Sequence, residues 1–168
     1  MSEIINRVAN SPIITIDLES YYRREERVVF DIKGFLFQGL VLKEKDFRLA
    51  LKELDWDQYK GKLVSIQCSV DAIVPIWAFI LVGTYLSKIE GEYVIGDLEV
   101  LEQYLFEQSL SKINPLDYQD RPVVIKGCSK FPIPMFAYGR VAALIQGYAK
   151  SIMYGEPCST VPLYKSPK

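Results

Sequence analysis

Four short apolar runs alternate with three helical stretches from residue 63 onward, and this rhythm restricts the fold more than any other feature of the chain. The runs are Leu63 to Gln67, Glu92 to Ile95, Val123 to Lys126 and Lys150 to Tyr154. Helices are expected between them, over about 72–88, 97–113 and 134–149. Pro75 falls in the first turn of the first helix, where its missing N–H costs nothing. Asp97 can cap the second, whose buried side should carry Leu98, Leu101 and Leu105, with Val100 and Tyr104 beside them. Asn114-Pro115 stops that helix, and Pro134 opens the third. Continuous apolar strands joined by helices long enough for crossovers predict an α/β fold. The expected architecture is a single domain over 1–168 with an open, mostly parallel sheet, Rossmann-like, covered by helices on both faces.

The first third, residues 1–60, is less regular. Ile13 to Leu18 and Arg27 to Ile32 read as strands, and Lys45 to Leu54 as a helix with Phe47, Ala50, Leu51 and Leu54 at helical spacing. Gly34 to Leu42 is apolar without a clear period. The tail over 155–168 is proline-rich and reads as irregular. The recurring pattern in the chain is a strand followed by Cys-Ser.

Every cysteine takes part in that pattern: Cys68-Ser69, Cys128-Ser129 and Cys158-Ser159. With 12 serines among 168 residues, three pairs out of three is about a one-in-a-few-thousand coincidence on composition. The ends of parallel strands meet along one edge of an open sheet, where such folds place their sites. The three thiols are therefore expected to converge there. Thiolates are the preferred soft ligands for zinc and for iron–sulfur clusters. The chain has no histidine, so a remaining ligand position would go to Asp71 or Glu156, or else to Asp97, water or a substrate. Ser69, Ser129 and Ser159 would donate hydrogen bonds to the sulfurs and tune the site. Against this stands the absence of Cys-x-x-Cys, and the tendency of free cysteine to act as a small buried hydrophobe.

Lack of histidine also removes Ser-His and Cys-His nucleophile pairs. A thiol-dependent enzyme using Cys128 or Cys68 is the alternative, since both precede helices whose N-termini lower a thiol's pKa, and Lys130 lies close to Cys128. Cysteine-dependent phosphatases need arginine six residues after the nucleophile, and those positions hold Val74, Pro134 and Tyr164. No Gly-rich nucleotide signature follows any strand. Asp17 and Glu19, after the first strand, read as turn and surface residues that could line the same edge.

A net charge of −1 gives no electrostatic case for nucleic acid or an anionic membrane. Val70 to Val82, the most apolar stretch, is broken by Asp71 and Pro75 and is too short to span a bilayer. Three cysteines and opening residues without a basic start or long apolar region predict a reducing, cytoplasmic setting. The 21 aromatic residues should lie mostly in the core, with some at a homodimer surface.

Asp31-Ile32-Lys33, Leu42 to Arg48, Asp71 to Pro75, Ile125 to Cys128 and above all Met153 to Pro162 carry a resemblance over nearly the full length. The chain resembles the bacterial family catalogued as domain of unknown function 2480. That resemblance supplies no catalytic assignment. It implies an association with iron–sulfur cluster assembly, and hence partners among the assembly proteins. A competing reading is a homodimeric, non-enzymatic interaction protein. Its cysteines would be buried separately, and it would present an exposed apolar patch.

Overall fold

The computed structural model describes residues 12–127 and 130–167. In chain order these form β1 (Ile14–Asp17), β2 (Arg27–Asp31), α1 (Glu44–Glu53), β3 (Leu63–Gln67), α2 (Ile76–Lys88), β4 (Glu92–Ile95), α3 (Leu98–Leu110), β5 (Pro122–Lys126), α4 (Met135–Ile145), β6 (Ser151–Glu156) and β7 (Ser159–Lys165). Short 3-10 turns cover Leu18–Tyr21, Ile32–Phe35, Trp56–Tyr59 and Pro115–Tyr118. The protein is a mixed α/β fold with open sheets whose strands pair mostly in parallel, as the alternation predicts.

The strands do not form one sheet. Four lie in the order β1-β5-β6-β7 and three in the order β2-β3-β4. The chain correspondingly divides into two compact units. A central unit, Arg23–Tyr104, holds the three-stranded sheet. A split unit, Met1–Tyr22 with Leu105–Lys168, holds the four-stranded one. Each has its own apolar core. In the central unit Phe30, Ile32, Phe47, Leu51, Val64, Ile66, Ala78, Val82 and Leu86 are buried together. In the split unit the buried set includes Ile16, Leu18, Phe106, Leu110, Val123, Ile125, Ala137, Val141, Ile145 and Ile152.

The two cores follow one plan. β2 ends in Asp31, whose carboxylate accepts from the Lys33 amide at 3.0 Å and starts a 3-10 turn. β1 ends in Asp17, which does the same with the Glu19 amide at 3.0 Å. Phe47 and Leu51 on α1 correspond to Phe106 and Leu110 on α3, all four buried. Asp55 and Asn114 then cap equivalent 3-10 turns. Pro75 and Pro134 precede α2 and α4, which bury Ala78, Val82 and Leu86 in one case and Ala137, Val141 and Ile145 in the other. The strand registers agree as well. Asp31 lies opposite Gln67 and Ile66 opposite Ile95; Asp17 lies opposite Lys126 and Ile125 opposite Tyr154. Gly96-Asp97 and Gly155-Glu156 close the pattern, with φ of +152° and +121° at the glycines. Recurrence of Cys-Ser after β3 and β5 is one trace of this internal repeat; Cys158-Ser159 has no counterpart in it.

Other expectations need correcting. The tail is not irregular: β7 pairs antiparallel with β6, with a register irregularity between Ile152 and Met153. Pro162 is tolerated because β7 is an outer strand of its sheet. On α3, Leu101, Leu105, Phe106 and Leu110 are buried, whereas Leu98, Val100 and Tyr104 are exposed. The apolar stripe there turns around the helix instead of running down one side. The cap holds: Asp97 accepts from the Val100 amide at 3.0 Å. Among the described residues, no helix is long and apolar enough to cross a membrane.

Candidate functional site at the carboxyl ends of the strands

Open α/β sheets concentrate polar side chains where parallel strands end, because helix crossovers start there and leave the edge uncovered. In the split unit three adjacent strands, β1, β5 and β6, end in charge. Asp17 and Lys126 are the last residues of β1 and β5, and Glu156 the last of β6. Lys126 Nζ stands 3.6 Å from Asp17 Oδ2 and 3.7 Å from Glu156 Oε2. Glu156 first, then Asp17, raises the Lys126 pKa above its ordinary value, so the edge carries a fixed ammonium held between two carboxylates. Glu19 is more than a surface charge, since its carboxylate accepts from the Lys130 amide at 3.0 Å and ties the chain after β5 to the turn after β1. Gly127 follows Lys126, and a side chain there would collide with the Tyr138 hydroxyl. The Tyr138 ring meets the Tyr154 ring edge-on, with centroids 6.0 Å apart.

The matching edge of the central unit is built differently. Gln67 takes the place of Lys126, opposite Asp31. Asp31 Oδ1 accepts from the amides of Lys33 at 3.0 Å and Ser69 at 3.1 Å. Burial pushes the Asp31 pKa up, but hydrogen bonds from the Ser69 hydroxyl and these amides outweigh it and set it below the usual carboxylate value. Ser69 is thus engaged with Asp31. The Cys68 thiol lies 3.6 Å from the Val70 carbonyl, to which it donates. Buried Ser65 donates to the Gly96 carbonyl at 2.6 Å and joins β3 to the end of β4.

Cys68 is half-buried in the central unit, and Asp71 is exposed in the same loop. Cys158 and Ser159 are exposed in the split unit, at the turn between β6 and β7. Cys128 and Ser129 lie outside the described residues. Among the described residues no three His, Cys, Asp or Glu side chains are grouped as a metal ion would need. Sequence reasoning passed over Lys126 and Asp31. The signal that exposes them is positional: each ends an apolar run whose register neighbours also end in a polar side chain.

The chain belongs to the family described as protein of unknown function DUF2480, which it matches over residues 2–166. Neither the curated proteins nor the solved structures contain a significant match.

Proposed function

We propose that this family member carries a thiol-dependent site for a soft metal ion or an iron–sulfur cluster at the carboxyl edge of the split unit's sheet. One observation carries the reading. β5 and β6 are adjacent parallel strands whose last residues, Lys126 and Glu156, meet at 3.7 Å. In the sequence, Cys128 and Cys158 each come two residues after one of them. Thiolate and carboxylate are donor types suited to zinc or to cluster iron, and Cys128, Cys158 and Glu156 supply them within two residues of these strand ends in the sequence. The Lys126 ammonium offsets the negative charge that thiolates bring. Cys68, the counterpart of Cys128 in the repeat, belongs to the other unit, and its thiol is already engaged with a carbonyl. A role in iron–sulfur cluster assembly is part of this proposal.

Anaerobic purification followed by absorption spectroscopy and elemental analysis tests it. Zinc, or iron with acid-labile sulfide, is expected in the wild type and should be lost in Cys128→Ser and Cys158→Ser but retained in Cys68→Ser. A protein that takes up neither zinc nor iron and sulfide under reducing conditions overturns the reading.

A further inference from the structure

In the split unit the chain is anchored on both sides of the Cys128-Ser129 pair. Before the pair, Lys126 lies opposite Asp17 in the sheet register, and Gly127 lies so close to the Tyr138 hydroxyl that no Cβ fits between them. After the pair, the Lys130 amide donates to Glu19 Oε1 at 3.0 Å. The next residue, Phe131, stacks on Tyr22, with ring centroids 4.6 Å apart and planes within 11° of each other. Glu19 and Tyr22 both come from the 3-10 turn that follows β1, Glu19 as its second residue and Tyr22 as the residue that ends it.

The central unit supplies an internal comparison. Its matching turn, Ile32–Phe35, has Lys33 in the place of Glu19 and ends on Leu36 in the place of Tyr22. A lysine ammonium cannot accept from an amide, and leucine has no ring to stack. The capping aspartates, Asp17 and Asp31, are the same in both turns. The two turns thus share what starts them and differ at the positions that reach the chain after β5. The turn itself needs neither Glu19 nor Tyr22, since the central unit makes it without them.

We propose that Glu19 is a positioning residue for the Cys128 thiol, acting through the backbone amide two residues beyond it. The inference rests on the thiol site proposed above. Only two residues separate Gly127 from Lys130, so fixing both flanks leaves Cys128 few conformations. A thiol held this way is ordered before its metal arrives, which favours binding.

Cobalt(II) is the probe, added to the reduced, anaerobic protein and followed by its thiolate charge-transfer absorption. Glu19→Ala should weaken cobalt binding at least about tenfold. Glu19→Gln, whose amide oxygen still accepts from the Lys130 amide, should stay within about twofold of the wild type. A second measurement needs no metal: iodoacetamide labelling of the metal-free protein, read cysteine by cysteine in mass spectrometry. In Glu19→Ala it should quicken at least about threefold at Cys128 and stay unchanged at Cys68 and Cys158. Wild-type cobalt affinity and wild-type labelling in Glu19→Ala overturn the proposal, as does a Glu19→Gln protein that falls as far as the alanine variant. A wild type that binds no cobalt sinks the thiol-site reading instead, and the labelling of Cys128 alone then decides the role of Glu19.

Discussion

Asp31 fastens two segments distant in sequence with one carboxylate. It takes an amide from its own 3-10 turn and another from Ser69 in the loop after β3. Asp31→Ala leaves both amides without this partner and should cost about 1 to 2 kcal/mol, read from urea unfolding at neutral pH. The pH dependence follows from the sign of the shift. With the folded pKa below the ordinary value near 4, this stabilisation is complete above about pH 4 and is lost as pH falls through the folded pKa. The gap between wild type and Asp31→Ala should therefore narrow in acid. Tyr118 behaves in the opposite sense. Burial first, then Tyr21, pushes its pKa up to about 12. Its contribution is fully present below about pH 10, the unfolded value, and is lost as pH rises through the folded one. Ultraviolet titration should show one phenol ionising near pH 12 in the wild type that disappears in Tyr118→Phe.

At the scale of elements, the chain at the end of the third parallel strand of each repeat depends on a glycine. Gly155 sits at φ +121°, and an added Cβ would come 2.7 Å from the Ser159 carbonyl oxygen. Gly155→Ala should cost at least about 1 kcal/mol and act on the β6–β7 hairpin, seen as faster amide exchange along β7 with β1 and β5 unaffected. Much of this level is legible in the sequence. The runs at Leu63 and Val123 become strands buried on both faces, and Asp97 and the two helix-opening prolines mark where helices start. What escaped had physical causes. β7 carries Pro162 and reads as loop until its place at the sheet's outer edge is known. The buried stripe of α3 passes from Leu101 to Phe106 and Leu110, so no single face of the helix reveals it. At the candidate site, the cysteines could be named from sequence. Lys126 and Asp31 could not, since a charged residue at the end of an apolar run gains its meaning only from the strands beside it.

For the whole molecule, the repeat accounts for what a linear reading leaves as coincidence. Its counterparts match in type more than in identity: Leu51 with Leu110, Leu86 with Ile145, Asp55 with Asn114. One copy is also interrupted by the other, so no continuous period is present to be found. The two apolar cores share no residue, and both tryptophans, Trp56 and Trp77, belong to the central unit. Tryptophan fluorescence therefore reports that unit, while circular dichroism reports both. Leu51→Ala should cost about 2 to 5 kcal/mol and lower the fluorescence melting temperature. Ile145→Ala, a loss of similar size in the other core, should lower the dichroism transition and leave the fluorescence transition nearly in place. Equal shifts of both signals in both variants would show that the two units unfold as one.

β1 pairs with β5, Ile14 lying opposite Val123, and every residue of the central unit is translated between them. On a ribosome adding roughly 5 to 20 residues per second, the first strand emerges and waits on the order of ten seconds for the strand that completes it. In that interval the central unit can close on contacts it already holds, while Ile14 and Ile16 stand without the strand that pairs with them. Synthesis thus exposes one strand of this protein to chaperones and to neighbouring nascent chains before its sheet can exist.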